Sequence, residues 1–414
     1  MDQRRAERFV SNSSPFPPGL FPAQAPTSDG VPRVQETPAT TAGTRLPTTQ
    51  AHSHNGALGG LQPSSLEGIV RIAQDNNFSD VHLGVGEEPR FRDRGDMRST
   101  GWPTTDRAQF QAWLKEMLSP SQIDAFNAEK EFDGSHAFPF VRVRINLLDS
   151  LRGPAMVLRL IPQDIATLEE LQLPDVLKDL AGKPKGLVLI TGPTGSGKST
   201  TLAAMIDWIN RNMHRHILTI EDPVEFVHLS KKSLIRHREV GQHTHKFHNA
   251  LRAALREDPD VILVGEIRDA ETLTTALEAS QTGHLVFGTL HTNSAVKTVE
   301  RVLGMVPPKD QDSLRRSLAE SLLGVIAQGL LKTKDGKRAA FHDILINTDA
   351  CKDYIERGEL EEIEEVMNRS AFDGMQTANQ ALIALIQDDR VDPKDALAQS
   401  LKPNELAQAI RGKE

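Results

Sequence analysis

From residue 186 onward, short apolar runs alternate with longer segments in which apolar residues recur at helical spacing. Runs of about four to eight apolar residues between turn residues are typical of buried strands. They predict strands at 187–191, 216–220, 261–264, 285–290, 326–331 and 339–346. Helices are predicted at 201–206, 247–256, 270–282, 295–303 and 309–323. This alternation favours a parallel sheet with helices on both faces, so we expect an α/β domain over residues 186–348.

The segment before this domain mixes helices and strands without regular alternation. Apolar residues at helical spacing predict a helix near residues 66–73, and two more are predicted at 110–118 and 120–126. Strands are predicted at 79–83, 138–147 and 155–161, with a hairpin at 91–98. We therefore expect a small α+β domain over 63–164, a linker with helical character over 165–185, and a helical C-terminal region over 349–414.

The composition argues against several classes of protein. Residues 1–62 are rich in proline, serine and threonine, which predicts a disordered leader. The formal net charge is −8, whereas nucleic-acid binders usually carry a basic excess, so no nucleic-acid partner is expected. Cys351 is the only cysteine, which rules out a disulfide within the chain and favours the cytoplasm. No run approaches ~18 apolar residues, so direct membrane insertion is not expected.

A glycine-rich segment follows the first strand of the α/β domain and opens its first helix. It fits the phosphate-binding pattern G-x-x-x-x-G-K-[ST], whose backbone amides surround a phosphate chain at a helix N-terminus. In such a loop Lys198 contacts the β- and γ-phosphates and the Ser199 hydroxyl binds Mg²⁺. The alternative is a glycine-rich turn without a ligand. The predicted nucleotide-binding residues are Gly192, Pro193, Thr194, Gly195, Ser196, Gly197, Lys198, Ser199 and Thr200.

Hydrolysis needs further groups, and carboxylates follow two of the predicted strands. The strand at 261–264 leads to Glu266 in the form of a Walker B segment, so we expect Glu266 to serve Mg²⁺. This assignment assumes that the strand is next to the one that precedes the phosphate-binding loop. Glu221, Asp222 and Glu225 follow another strand, and one of them could orient the attacking water as a general base. The alternatives are an incidental surface glutamate and a plain acidic loop.

Two histidines bracket the strand predicted at 285–290. His284 precedes this strand and His291 follows it. Strands often have polar ends, so one interpretation gives these residues no special role. The other interpretation is a pair of neutral groups that sense the γ-phosphate.

Arginines supply further candidates in the first domain. Arg142 and Arg144 are two residues apart on a predicted strand and therefore point to the same side of it. Arg152 follows in a turn and Arg159 in the next strand. This basic face is either simply solvated or reaches a phosphate, in the same subunit or a neighbouring one. Two more candidate nucleotide-facing cations lie in the α/β domain, Arg268 and Arg301.

Four blocks of the sequence together resemble the secretion and pilus-motor ATPases, and within them the type IV pilus retraction ATPases. These blocks are 192–200 (Walker A), 219–226 (the Asp box), 258–269 (Walker B) and 282–292 (the His box). Two segments of the first domain, 79–83 and 142–146, also match the N-terminal domain of this family.

The resemblance implies a RecA-like motor domain after a PAS-like N-terminal domain, in a homohexameric ring with ATP and Mg²⁺ bound between the two domains. It implies that Glu225 is the catalytic glutamate, that Glu266 serves the metal, and that His284 and His291 sense the nucleotide state. It also implies phosphate contacts from Arg142, Arg144, Arg152 and Arg159.

The implied function is pilus retraction, in which hydrolysis drives pilin depolymerisation and twitching motility. A cytoplasmic ring would act through an inner-membrane platform protein. Retraction ATPases carry an Ala-Ile-Arg-Asn-Leu-Ile-Arg-Glu helix, and here Lys352 and Glu356 replace its two arginines. The alternatives are a pilus extension or type II/IV secretion ATPase, and an accessory ring subunit that binds ATP without hydrolysing it.

Overall fold

The computed structural model of the chain describes residues 62–412, except 94, 162 and 163. The predicted leader therefore lies almost entirely outside the described residues. The described residues form two β-sheets, one built from the first part of the chain and one from the second. Helices pack against both sheets and also form the C-terminal end of the chain.

The first sheet is antiparallel and has the strand order β3-β2-β1-β6-β5-β4. Its strands are β1 (Asp80–Gly84), β2 (Arg90–Asp93), β3 (Asp96–Ser99), β4 (Glu131–Ala137), β5 (Arg142–Ser150) and β6 (Gly153–Ile161). The helices α1 (Leu66–Asp75), α2 (Arg107–Met117) and α3 (Pro120–Glu129) contribute to its core, which contains the fully buried Trp113 and Phe110. Strand β4 was not predicted, because it is an edge strand without regular apolar alternation.

Strands β5 and β6 form a hairpin that separates apolar from basic side chains. Val143, Ile145 and Leu147 are fully buried in the core, while the alternate residues of β5 face the other way. The register places Arg144 of β5 directly opposite Arg159 of β6. The expected basic face therefore exists and spans two neighbouring strands.

The second sheet is mixed and has the strand order β13-β12-β7-β11-β10-β8-β9. Its strands are β7 (Gly186–Thr191), β8 (His216–Glu221), β9 (Leu234–Glu239), β10 (Val261–Val264), β11 (Leu285–Leu290), β12 (Leu322–Lys332) and β13 (Arg338–Ile346). Neighbours from β12 to β9 are parallel, whereas β13 is antiparallel to β12, so the expectation of an entirely parallel sheet is wrong at this edge. The α/β class is confirmed.

Two further expectations about this domain are wrong, and one of its strands was missed. Strand β10 is not next to β7, because β11 lies between them. Strand β9 was not predicted because its residues, Leu-Ile-Arg-His-Arg-Glu, are mostly polar at the sheet edge. The predicted helix over 309–323 ends at Ser321, and Leu322 already belongs to β12.

Helices cover both faces of the second sheet, as alternation along β7 requires. Leu187 and Leu189 belong to the core shared with α6 (Phe247–Ala254), α7 (Ala270–Gln281), α8 (Ala295–Leu303) and α9 (Gln311–Ser321). Val188 and Ile190 belong to the core shared with α4 (Val176–Ala181) and α5 (Lys198–Asn212). Complete burial of β7 explains its unbroken apolar sequence.

The expected helical C-terminal region is present. It comprises α10 (Asp349–Arg357), α11 (Glu361–Arg369), α12 (Ala378–Gln387), α13 (Pro393–Gln399) and α14 (Pro403–Arg411). The buried carboxylate of Asp343 in β13 accepts hydrogen bonds from the first amides of α8, at 2.7 Å, and α12, at 3.1 Å. No helix in the described part of the chain is long and apolar enough to cross a membrane.

Candidate active site

The predicted phosphate-binding loop connects β7 to α5. Gly192, Gly195 and Gly197 have φ angles of 144°, 81° and 88°, in the left-handed region that favours glycine. A Cβ atom on Gly192 would lie 2.2 Å from the carbonyl oxygen of Gln328, so a side chain there would clash with backbone. Among the described residues no side chain caps the N-terminus of α5. Its free amides and the helix dipole therefore suit a bound phosphate.

Lys198 is held by the loop that precedes it. Its ammonium donates hydrogen bonds to the carbonyl oxygens of Gly192, at 2.7 Å, and Pro193, at 3.1 Å. Burial lowers the pKa of Lys198, while the charges of Glu266 and Glu225 act in the opposite direction. A half-buried ammonium near two carboxylates is placed to neutralise a phosphate chain.

The side chain of Gln328, in β12, forms hydrogen bonds with the phosphate-binding loop and with α5. This residue was not predicted from the sequence. Its amide nitrogen donates to the Ser196 carbonyl at 2.7 Å, and its amide oxygen accepts from the Thr201 hydroxyl at 2.7 Å. His342 contacts the same amide oxygen at 3.2 Å. Burial lowers the pKa of His342 to about 4, so this imidazole is neutral at neutral pH. No spacing pattern marks Gln328, because only strand pairing brings it under the loop.

The loop opens into a cavity of about 550 Å³, a volume in the range of small-molecule sites. Both sheets contribute to its wall, and the chemically active side chains come from several strand ends. The second sheet supplies Lys198, Ser199, Glu221, Asp222, Glu225, Glu266, Arg268 and His291. Cationic, hydroxyl and carboxylate groups therefore converge on one space, as binding a nucleotide with Mg²⁺ requires.

Glu266 reaches this cavity although its strand is not next to β7. Its carboxylate accepts from Arg268 at 2.6 Å and lies 3.2 Å from Nε2 of His291. Burial alone would raise the pKa of Glu266, but the hydrogen bond and charge of Arg268, helped by His291, outweigh burial and lower it. The carboxylate therefore stays ionised, which is the form that binds a divalent cation.

The segment after β8 places two glutamates at different depths. Glu221 is buried, and burial raises its pKa to about 7. One of its carboxylate oxygens accepts from the Glu225 amide at 3.1 Å. Glu225 is exposed and lines the cavity. The arrangement presents the Glu225 carboxylate to the cavity and uses Glu221 beneath it as support.

The two histidines lie at opposite ends of β11. His291 follows the carboxyl end of the strand and lines the cavity. His284 precedes the amino end, where its ring nitrogen Nδ1 lies 2.9 Å from the carbonyl oxygen of Ala279. A strand of this length spans roughly 20 Å. The structure therefore does not bring His284 to the cavity of this chain.

The predicted arginines also fall into two groups, those that line the cavity and those that do not. Arg144, Arg159 and Arg268 line the cavity, as does Arg338 of β13, which no sequence pattern selected. Three predicted arginines lie elsewhere. Arg142 pairs with Glu239, Arg152 is exposed in the turn between β5 and β6, and Arg301 lines a neighbouring cavity of about 340 Å³.

Comparison with known proteins gives consistent matches over most of the chain. A twitching motility protein of Neisseria gonorrhoeae is 48% identical over 310 residues, which is 74% of this chain and 83% of that protein. The type IV pilus retraction ATPase PilT of Pseudomonas aeruginosa is 44% identical over 329 residues, 79% of this chain and 96% of that protein.

Solved structures agree with these matches. A structure of the pilus retraction motor PilT with bound ADP superposes with a TM-score of 0.78 at 40% identity, covering 83% of this chain and 99% of that one. The ATPase DotB of Legionella pneumophila superposes with a TM-score of 0.68 at 26% identity, covering 79% and 93%. Residues 63–408 match the family model of type II/IV secretion system proteins. The resemblance stated from the four sequence blocks is confirmed, and the chain belongs to the type II/IV secretion system protein family.

Proposed function

We propose that this chain is an ATP-hydrolysing motor that powers retraction of type IV pili. One observation carries the proposal: Lys198, Glu225 and Glu266, which come from three separate sequence blocks, line a single cavity. The similarity to PilT proteins over most of the chain favours retraction over extension. ATP is the substrate, and its hydrolysis drives pilin depolymerisation and twitching motility.

The chemistry follows from the positions of the side chains. Lys198 and the amides at the start of α5 bind the phosphates, and Arg144, Arg159 and Arg268 add positive charge around them. Glu225 orients the attacking water and accepts its proton. Ser199 and Glu266 would hold Mg²⁺, which would neutralise charge on the phosphates. His291, bonded to Glu266, is placed to respond to the nucleotide state.

The proposed domain organisation follows the sequence boundaries. Residues 63–164 form a PAS-like N-terminal domain, residues 165–185 a linker, and residues 186–348 a RecA-like motor domain, followed by the helical region over 349–414. Six copies assemble into a ring in the cytoplasm. Closure of the two domains about the linker passes movement to an inner-membrane platform protein.

Hydrolysis by the purified protein tests the enzymatic half of this proposal. We expect Mg²⁺-dependent ATP turnover that is lost in Lys198→Ala and in Glu225→Ala. Normal turnover in Glu225→Ala would remove Glu225 from its role, and absence of turnover in the unaltered protein would favour an accessory subunit.

Piliation of a deletion strain tests the direction of the motor. Loss of a retraction motor leaves surplus pili and no twitching, whereas loss of an extension motor leaves no pili. In α10 Lys352 pairs with Asp349 at 3.1 Å and Glu356 is exposed. Because these residues replace the two arginines of retraction ATPases, wild-type piliation and twitching after deletion would favour an accessory role.

A further inference from the structure

Arg142 lies on a strand of the basic hairpin, as Arg144 and Arg159 do, but it does not line the cavity. Its guanidinium pairs with the carboxylate of Glu239, at the end of β9. The side chain of Arg142 is 19% exposed and that of Glu239 is 2% exposed. Removing one partner of a buried ion pair costs far more than removing one partner of an exposed pair, because the other charge is left buried and uncompensated. Arg142 therefore does a different task from Arg144 and Arg159.

The Glu239 carboxylate has partners on both sheets. It accepts a hydrogen bond from the Ser135 hydroxyl of β4 at 2.6 Å, in addition to the Arg142 guanidinium. It also accepts one from the backbone amide of Val224 at 3.1 Å. The Gln242 side chain completes the contact by donating to Ser135 at 3.0 Å. The first sheet is thus connected to the segment after β8 through one buried carboxylate.

Val224 immediately precedes Glu225, the residue proposed to orient water. The two successive amides of this segment are bound by two buried carboxylates, Val224 by Glu239 and Glu225 by Glu221. Both glutamates lie in strands of the second sheet, but Glu239 also contacts Ser135 and Arg142 of the first sheet. Any displacement of β4 and β5 therefore acts on the backbone that carries the Glu225 side chain.

We infer that Glu239 and Arg142 are positioning residues, which set the place of the Glu225 carboxylate according to the position of the N-terminal sheet. This inference rests on the proposed function. It assigns Arg142 a role without phosphate contact, unlike the sequence expectation. It also makes hydrolysis depend on contact between the two sheets, because loss of Arg142 leaves the Glu239 carboxylate, which holds the Val224 amide, without its charged partner.

Kinetics separates this role from phosphate binding. We expect Arg142→Ala to lower kcat for ATP by roughly 10- to 100-fold with little change in KM, because a misplaced catalytic group loses rate on this scale. Glu239→Gln should lower kcat similarly, and the double variant should be no worse than the poorer single variant. Arg142→Lys, which keeps the charge, should recover part of the rate. Arg90→Ala, at an exposed arginine of β2, is the matched control and should leave both constants unchanged.

Hydrogen exchange supplies a readout that does not need turnover. The amides of Asp222 and of residues 224–226 should exchange faster in Arg142→Ala and Glu239→Gln than in the unaltered full-length protein, while those of α7 should not change. A raised KM with unchanged kcat in Arg142→Ala, additive losses in the double variant, or unaltered exchange at 222–226 would each overturn the inference. Absence of ATP turnover in the unaltered protein would instead contradict the proposed function and leave the exchange measurement as the deciding test.

Discussion

The cavity is formed by two regions that hold their charged groups by different means. At the carboxyl edge of the second sheet, Glu266 accepts a hydrogen bond from Arg268 two residues away, and Lys198 donates to the loop that precedes it. On the first sheet, Arg144 and Arg159 project from a hairpin and are 41% and 67% exposed. The first region is preorganised for chemistry, whereas the second can adapt to its ligand. Substitutions in the two regions should therefore differ in kind, and the following predictions run from the largest effect to the smallest.

Glu266→Ala should give the largest loss. The change removes the ionised carboxylate that Arg268 and His291 hold at the cavity, and loss of one preorganised electrostatic group lowers turnover by on the order of 10² to 10³. Steady-state ATP hydrolysis at saturating Mg²⁺ measures it. Glu278→Ala, at an exposed position of α7, is the control. Turnover within about threefold of the unaltered protein would contradict preorganisation at this edge.

Glu221 should make folding stability dependent on pH. Burial raises its pKa from an ordinary value near 4.5 to about 7, so between these values the folded protein retains a proton that the unfolded chain has released. The tighter binding of this proton stabilises the folded state fully below pH 4.5, and the stabilisation is lost as pH rises through 7.

Glu221→Gln removes this titration. From pH 4.5 to pH 8 the unaltered protein should lose up to about 3 kcal/mol of unfolding free energy relative to the variant. Urea denaturation at the two pH values gives the difference, and His228 and His342 titrate in both proteins, so their contributions cancel to first order. Parallel pH profiles would show that Glu221 is not held in a desolvated site.

Gln328→Leu should loosen the phosphate-binding loop. The substitution leaves the Ser196 carbonyl, the Thr201 hydroxyl and His342 without their shared partner, and buried unsatisfied groups cost about 1–3 kcal/mol each. We expect a loss of about 3 kcal/mol in unfolding free energy, the lower end of this range for three groups, together with weaker nucleotide binding. Calorimetry and ADP titration measure the two effects. Gln387→Leu, at an exposed position of α12, should change neither, and equal behaviour of both variants would contradict the support role.

Arg144→Ala should have the smallest effect and a different kinetic form. Because Arg144 is partly exposed and lines the cavity, its loss should weaken ATP binding by roughly tenfold, seen as a higher KM with kcat little changed. The effect should shrink as salt concentration rises. A fall in kcat at constant KM would show that the basic strands are as preorganised as the carboxyl edge, which would remove the contrast between the two regions.

Local sequence was sufficient to find the cavity residues that lie at the end of one strand or in the loop that follows it. The phosphate-binding loop, Glu266 and the segment at 221–225 could all be found by spacing, because their side chains lie at the ends of buried strands. Placement of β11 between β7 and β10 could not be found this way, since strand order is set by packing of the whole domain. The polar edge strands β4 and β9 were missed for a related reason: they lack the apolar alternation that marks a strand.

The separation of the arginines was also beyond local sequence. Arg142 and Arg144 share one face of β5, and spacing gives them the same role. Their partners come from positions about a hundred residues apart, Glu239 for Arg142 and Asp133 or the cavity for Arg144. Only the tertiary contact between the sheets distinguishes the arginine that pairs with Glu239 from the one that lines the cavity.

Arg144 and Arg159 lie directly opposite each other on neighbouring strands, and this pairing links ligand binding to the thermal stability of the N-terminal sheet. Like charges facing each other across antiparallel strands destabilise a sheet, although Arg144 also pairs with Asp133 and Arg159 with Asp80. A polyphosphate between the two guanidinium groups would relieve the repulsion and so raise the melting temperature of this sheet. The two opposed arginines of the hairpin thus favour phosphate binding but destabilise the sheet. The thermal stability of this sheet should therefore be highest when substrate is bound.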